Sequence, residues 1–356
     1  MPTWMIYGSN GSMGKTLLEE ALSRGFSPIL AGRSGQLLAW AREKQLPCRI
    51  FEVRAVQEIL PFLQGVRVFV DCAGPYTSRT SAILLACVKK KVHYIDLSLE
   101  YSWCQRVFSF SSAFKNQGCW AVTGVSSYAL LAEYMACYLK GQLPHTTSLD
   151  LTYVGSHFPV TKGALLSYLS ILACGQKARS HNRIRTQWFS SAYRGDEWAA
   201  PAGASVGSVA RRVPLVDLVT VWVATRIPFI STFVAFAATD MRMVRVICAL
   251  ARFSFLHGIL QRFLSAYAQS RGSGATYATL RVFGRAESAA GQYRSMQVEM
   301  EGRDVLSIKM VCDLVMQPVA SHQGVLTPGQ YFGDSYLFAS SDLETRMHHI
   351  SYGEES

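Results

Sequence analysis

The residues whose types and spacing could do chemistry begin at position 8. Gly8-Ser9-Asn10-Gly11-Ser12-Met13-Gly14 is a glycine turn of the G-x-x-G-x-x-G type. So few side chains let backbone N–H groups and a helix N-terminus approach a pyrophosphate. Arg33 stands 19 positions beyond Gly14 and is followed by Ser34. An Asp or Glu near this place suits a free ribose 2′-hydroxyl, whereas an arginine suits a 2′-phosphate. Together these features predict NADP(H) as the cofactor, bound by the turn residues 8–14, Arg33 and Ser34. The competing reading of the glycines is an ordinary structural turn.

Three more clusters carry candidate groups. Asp71-Cys72-Ala73-Gly74-Pro75-Tyr76 reads as the end of a strand followed by a tight turn. In a doubly wound sheet that loop lies beside the ribose and nicotinamide, which makes Cys72, Ala73, Gly74, Pro75 and Tyr76 cofactor contacts. His93-Tyr94-Ile95-Asp96-Leu97-Ser98-Leu99-Glu100 brings Asp96 or Glu100 to the same edge. Asp96 is expected to orient a group or, more commonly, to cap the next helix, and His93, at the far end of its strand, to be structural. Gly124-Val125-Ser126-Ser127-Tyr128 closes the following strand. Tyr76 and Tyr128 are thus the two candidate proton donors.

The elements needed to position these groups are legible in the pattern. Strand Thr3–Tyr7 precedes the glycine turn and helix Lys15–Leu22 follows it. Strands are predicted at Pro28–Gly32, Arg49–Val53, Val66–Ala73, His93–Leu97 and Trp120–Gly124. Helices are predicted between them at Gln36–Lys44, Val56–Leu63, Thr80–Lys90 and Tyr101–Asn116. Continuous apolar strands alternating with helices predict an α/β fold, a Rossmann-type doubly wound parallel sheet over residues 1–125. Residues 126–330 read as a second α+β domain, with strands at Ser148–Val154, Tyr277–Phe283 and Arg294–Met300 and a helix at Lys162–Cys174. This domain includes a polar stretch at Gln176–Arg194, a small-residue segment at Ala199–Val209 and an apolar helical segment over 215–270. Residues 331–356, beginning within Gly329–Ala339, are expected to return to the first domain.

Composition narrows the function classes. A chain of 356 residues with 49% hydrophobic and 17% charged residues has room for two cores and is not a disordered protein. Its formal charge is +11, and arginine supplies most of the 35 basic residues. No basic run is interleaved with aromatics, and Lys89-Lys90-Lys91 reads as the last turn of a helix, so nucleic acid is not the expected partner. An anionic cofactor, an anionic carrier or a membrane surface accounts for the charge. Nine scattered cysteines without C-x-x-C fit free thiols in a reducing compartment and no metal site, and no signal peptide is apparent, so the expected location is cytoplasmic. Asp217, Arg226 and Pro228 interrupt the apolar run Leu215–Ala238, which argues against a spanning helix. The basic helical segment 241–271, with Arg242, Arg245 and Arg252 on one side, allows peripheral membrane contact, although a surface helix packed on its own core is the plainer reading. A homo-oligomer is also allowed.

Absences matter as much. No tyrosine has a lysine four positions later, so the Tyr-x-x-x-Lys dyad of short-chain dehydrogenases is missing. His-Glu-x-x-His and the Walker spacing Gly-x-x-x-x-Gly-Lys-[Ser/Thr] are missing too, which removes the corresponding zinc-protease and P-loop readings.

Taken together, Gly8-x-x-Gly11-x-x-Gly14, Leu30-Ala31-Gly32-Arg33, Cys72-Ala73-Gly74-Pro75-Tyr76 and His93-Tyr94-Ile95-Asp96-Leu97 resemble the saccharopine dehydrogenase-like NADP-binding family. Within it, the chain looks most like the branch containing trans-acting enoyl reductases of lipid biosynthesis. Lys162-Gly163-Ala164, Ala224-Thr225-Arg226-Ile227-Pro228, Leu326-Thr327-Pro328 and Phe332-Gly333-Asp334 extend the likeness more diffusely. Two places depart from it. Asp96-Leu97-Ser98-Leu99-Glu100 stands for Asp-x-Thr-Gly-Glu, and Ser126-Ser127-Tyr128 stands for a Gly-Phe-Asp-like turn. The resemblance implies an NADPH-dependent oxidoreductase acting on an apolar, carrier- or lipid-linked enoyl or keto group. The departures favour as its rival a non-catalytic NADP-binding or membrane-associated scaffold. Saccharopine-type C–N oxidoreduction would need a polar, charge-paired pocket, which the apolar stretch 215–264 does not suggest.

Overall fold

The computed structural model describes residues 3–76, 81–155, 162–181, 183–186, 197–199, 208–251, 253–270, 280–300, 303–316, 322–333 and 347–355. Arg252, Arg271, Asp334, residues 277–279, most of Ala199–Val209 and the ends of Gln176–Arg194 and Gly329–Ala339 lie outside the described residues.

The chain begins β1 (Trp4–Tyr7), α1 (Ser12–Ser23), β2 (Ile29–Gly32), α2 (Gln36–Glu43), β3 (Cys48–Ile50) and α3 (Val56–Ile59). It continues β4 (Val68–Asp71), α4 (Ser81–Lys90), β5 (His93–Asp96), α5 (Tyr101–Phe108), α6 (Ser111–Asn116), β6 (Trp120–Val122) and α7 (Ser127–Gln142). Next come β7 (Thr146–Gly155), α8 (Lys162–Ala173), β8 (Lys177–Ser180), β9 (Arg183–Thr186), β10 (Glu197–Ala199) and β11 (Ser208–Arg212). Then follow α9 (Asp217–Thr225), β12 (Phe229–Ala237), α10 (Ala238–Leu250), α11 (His257–Ser270), β13 (Leu280–Ser288) and β14 (Tyr293–Met300). The last elements are α12 (Arg303–Met316), β15 (Gly324–Leu326), α13 (Pro328–Phe332) and β16 (Met347–Glu355).

Two compact units result, residues 1–127 with 304–331, and residues 128–303 with 332–356. In the first, seven parallel strands run in the order β15-β6-β5-β4-β1-β2-β3. Its central strands are buried end to end and apolar except for Asp71 at the end of β4, because helices cover both faces of a parallel sheet. Tyr7, Phe69 and Tyr94 stack across β1, β4 and β5 within that core. The predicted Rossmann-type sheet is present. One predicted helix, Tyr101–Asn116, is two. Ser109 Oγ donates to the Arg106 carbonyl at 2.6 Å, a backbone-directed bond that competes with continuing the helix.

The second unit carries a mixed sheet in the order β10-β11-β12-β7-β13-β14-β16, with β8 on β12 and β9 on β8. Only β12 and β7 pair in parallel among its described strands. Two expectations change here. The segment 215–270, read as helical, contains the nine-residue strand β12. Arg226, at φ 60°, ends α9 in the left-handed conformation, Pro228 follows, and the aromatic and β-branched run from Phe229 suits a sheet. At the C-terminus, β15 extends the first sheet beside β6, whereas β16 pairs with β14. The return to the first unit is therefore made by residues 304–331 and not by 331–356. No described helix is long and apolar enough to cross a membrane.

Candidate functional site

In the first sheet the strand order reverses between β1 and β4. Such a switch point opens a crevice at the carboxyl ends of those strands, where doubly wound folds bind their ligands. Gly8 follows β1 and Cys72 follows β4, so sheet topology alone brings both predicted loops to one place.

The loops touch. A Cβ on Gly8, whose φ is +81°, would lie 2.9 Å from Ala73 Cβ, and one on Gly14 would lie 2.3 Å from the Gly8 carbonyl oxygen. The Gly11 N–H bonds the Gly8 carbonyl at 2.9 Å, and the Lys15 N–H then closes the first turn of α1 on the Gly11 carbonyl. Ser9 turns inward: its N–H and hydroxyl both reach the Ala31 carbonyl, which ties the turn to β2. Asn10, Gly11 and Ser12 are exposed, Met13 is half-buried and Gly14 is buried. α1 has no side-chain cap and no acidic residue in its first turn. Its leading N–H groups are left for an anion.

Arg33 leaves the end of β2 exposed, and among the described residues no hydrogen bond or ion pair engages its guanidinium. Ser34 Oγ accepts the Gln36 N–H at 3.3 Å at the start of α2, so its hydroxyl serves the helix. A helix N-terminus without a cap and a cation one strand away form the donor set that a dinucleotide 2′-phosphate requires.

Behind this rim lies a group of carboxyls, and although the motifs placed Asp96 or Glu100 at this edge, they did not reveal their burial together with Asp71. Asp71 and Asp96 end adjacent strands in register. Asp71 Oδ1 accepts the Ala73 N–H at 3.0 Å, and the Tyr94 hydroxyl lies 3.4 Å from Oδ2. Burial, with Asp96 and Glu100 nearby, raises its pKa to about 7. Asp96 Oδ1 accepts the Ser98 and Gly124 N–H groups and Oδ2 accepts Trp103 Nε1, each at 3.0 Å. Burial again raises the pKa, to about 6, and these donors oppose the rise. Asp96 thus joins the β5 and β6 loops and does not cap α5, whose N-cap is Glu100. Glu100 Oε2 accepts the Ser98 hydroxyl and the Leu99 N–H, while Oε1 is buried without a partner. The visible signal was an aspartate at the last position of two otherwise apolar strands.

Tyr76 lies against the same group. Its hydroxyl donates to the Asp71 carbonyl at 2.7 Å, and its ring stacks on Trp103 with centroids 5.6 Å apart. Burial among the acids pushes its pKa well up, which makes it a poor acid. Cys72, pushed up by burial and by Asp71, is no ready thiolate. His93 is structural as expected: Nδ1 accepts the Trp120 N–H, and the rings stack at 4.4 Å. Burial first, then Arg67, lowers its pKa to about 4.

In the second unit Tyr128 packs its ring on Tyr153, with centroids 5.6 Å apart. The Tyr153 hydroxyl donates to Asp217 Oδ2 at 2.6 Å. Asp217, foreseen only as an interruption of an apolar run, is fully buried, and that burial raises its pKa to about 6. No group of three or more His, Cys, Asp or Glu among the described residues could hold a metal ion.

Comparison with known proteins bears on this geometry. Residues 4–122 match the saccharopine dehydrogenase NADP binding domain. That match supports NADP(H) as the cofactor of the crevice, in agreement with Arg33. The fold of the whole chain is similar to that of apo histidine-tagged saccharopine dehydrogenase (L-Glu forming) from Saccharomyces cerevisiae, with 11% identity, 100% of each chain covered and a TM-score of 0.61. A short-chain type dehydrogenase/reductase from Mycobacterium ulcerans matches at 12% identity over 34% of this chain and 66% of its own, with a TM-score of 0.30. A short-chain dehydrogenase/reductase family oxidoreductase from Burkholderia thailandensis matches at 14% identity, over 34% and 68%, with a TM-score of 0.28. Among proteins of curated function, none matches the sequence.

Proposed function

We propose that this chain is an NADPH-dependent oxidoreductase that delivers hydride to an apolar enoyl or keto substrate linked to a lipid or carrier, similar in kind to the trans-acting enoyl reductases. The observation that carries the cofactor half of this reading is the pairing of the uncapped α1 N-terminus with the unengaged Arg33. The backbone of 8–14 binds the pyrophosphate, Arg33 the 2′-phosphate, and the Ala73–Pro75 turn walls the crevice. The bound nicotinamide supplies hydride. Tyr76 and Tyr128 are the candidate proton donors, and the Tyr76 hydroxyl donates to the Asp71 carbonyl. The apolar composition of the second unit motivates the substrate class. All nine cysteines are free thiols, which suits a reducing, cytoplasmic setting.

Titration with NADPH and NADH tests the cofactor assignment. The protein should prefer NADPH, and Arg33→Asp should abolish or reverse the preference. Equal affinity for both cofactors overturns it. Stopped-flow oxidation of bound NADPH across enoyl and keto lipid thioesters tests the reaction. Oxidation with any of them, slowed at least tenfold in Tyr128→Phe, supports hydride transfer with Tyr128 as donor.

A second reading has one specific observation behind it. With the Tyr76 hydroxyl turned back onto its own loop, the crevice could hold NADP(H) without turning it over. Tight NADPH binding with no oxidation across the thioester series would favour that non-catalytic protein.

A further inference from the structure

Nine large hydrophobic side chains are exposed among the described residues, and six of them fall between positions 246 and 263. Val246 and Leu250 lie one turn apart on α10, and Phe255, Ile259 and Phe263 are spaced by four along the turn and α11. Phe253 sits between the two sets, its ring 5.9 Å from that of Phe255. Phe255 is 77% and Ile259 65% exposed. These are not core residues facing the wrong way. The inner face of the same hairpin is already satisfied: Ile247, Ala251 and Leu260 are buried against Leu169 of α8. The turn is also ordered, with the Phe253 N–H on the Leu250 carbonyl, the Leu256 N–H on the Phe253 carbonyl, and His257 Nε2 at 2.7 Å from the Ala251 carbonyl. The hairpin is therefore apolar on both sides and folded against its own unit on one only. Monomeric soluble proteins rarely leave so many large apolar side chains exposed along one short segment without a use.

Charge selects the occupant. No Asp or Glu occurs from residue 241 to 286, whereas Arg242, Arg245 and Arg262 are exposed on the hairpin itself. A second copy docking face to face would bring like-charged arginines together. An anionic lipid surface takes up both features, with the aromatic and aliphatic tips entering the headgroup–acyl boundary and the guanidiniums meeting phosphates and carboxylates. The geometry points to the α10–α11 hairpin as a docking surface for the face of an anionic lipid bilayer, with Phe255 and Ile259 as its inserted tips. This peripheral attachment is independent of turnover and of the cofactor crevice.

Flotation of the full chain with vesicles tests it. The protein should rise with phosphatidylcholine–phosphatidylserine vesicles and at least tenfold less with phosphatidylcholine alone. The double variant Phe255→Ser/Ile259→Ser should lose at least tenfold of the binding while keeping its NADPH affinity, which separates lost docking from lost folding. Arg242→Glu/Arg262→Glu should remove the dependence on phosphatidylserine. Three results would overturn the assignment: failure of the unaltered chain to float, flotation unaffected by the Ser variant, or a dimer in light scattering that becomes a monomer in that variant without any vesicle binding. The last would give the face to a second copy.

Discussion

A Cβ placed on Gly14 would lie 2.3 Å from the carbonyl oxygen of Gly8 and 2.6 Å from the Ser9 Cα. Both obstacles are backbone, so neither can yield as a flexible side chain would. Gly14→Ala must therefore push the first turn of α1 away from the end of β1. The expected cost is about 1–3 kcal/mol of stability. Because the same displacement moves the N–H groups offered to the pyrophosphate, NADPH affinity should fall at least tenfold. Thermal melts with and without NADPH read both effects, and an unchanged NADPH-induced rise in Tm would contradict this account of the turn.

The buried carboxyls give the protein a pH signature opposite to that of a surface salt-bridge network. Asp71 titrates at about 7 in the folded chain, and Asp96 and Asp217 at about 6, against a usual value of 3.8. Between those values the folded state holds more protons than the unfolded state. The stability these groups contribute is complete below about pH 4 and is lost as pH rises through 6 and 7, by about 1.4 kcal/mol per pH unit for each titrating group. Denaturant midpoints should fall from about pH 5 to about pH 8. Asp71→Asn keeps an acceptor for the Ala73 N–H and removes the titration, so it should flatten that fall. A midpoint that rises over this range would show that these groups are ionised throughout.

The first unit was legible because its signals are local. A buried parallel strand is a continuous apolar run, and a glycine turn between strand and helix needs no tertiary partner to be recognised. Arg33 could be placed by counting from Gly14. Asp96 or Glu100 could be placed at this edge, but not their grouping with Asp71, because the three meet only through strand register and burial. Ser98 and Leu99 show the same limit from the other side. The residues that replace Thr-Gly in the resembled motif still deliver an N–H or hydroxyl to Glu100 Oε2. Arg226 occupies a left-handed position that favours glycine, and its guanidinium lies 4.3 Å from the centroid of the Trp222 ring. The second unit was less legible, since its sheet joins strands far apart in sequence, β7 with β12 and β13. The fate of 331–356 depended on which sheet edge was open, and no local pattern records that.

Asp96 is a fully committed acceptor, and its substitution should show it. In Asp96→Asn the amide nitrogen cannot accept where Oδ2 now receives the Trp103 indole N–H, and turning the amide only moves the conflict to Ser98 and Gly124. At least one buried donor is left unpaired in either orientation, at about 1–3 kcal/mol. The loss should appear in denaturant unfolding at about pH 8 and shrink at about pH 5, where the native carboxyl is itself largely protonated. A loss that is equal at both pH values would mean that the ionisation state of Asp96 does not change between them.

Tyr153 and Asp217 join β7 to the first residue of α9 by a 2.6 Å hydrogen bond, and the Tyr128 ring lies on Tyr153. Removing the hydroxyl in Tyr153→Phe leaves Asp217 buried with both carboxyl oxygens unsatisfied, since Oδ1 already lacks a partner. Stability should drop by about 1–3 kcal/mol at neutral pH, and the folded-state pKa of Asp217 should rise further as its donor disappears. In Tyr153→Phe/Asp217→Leu, where both members of the pair are gone, the loss should be smaller than the sum of the single variants. If the two losses instead add, the hydroxyl and the carboxyl act separately. In that case Asp217 would not hold Tyr153 beneath Tyr128, and the proton-donor role proposed for Tyr128 would lose its structural support.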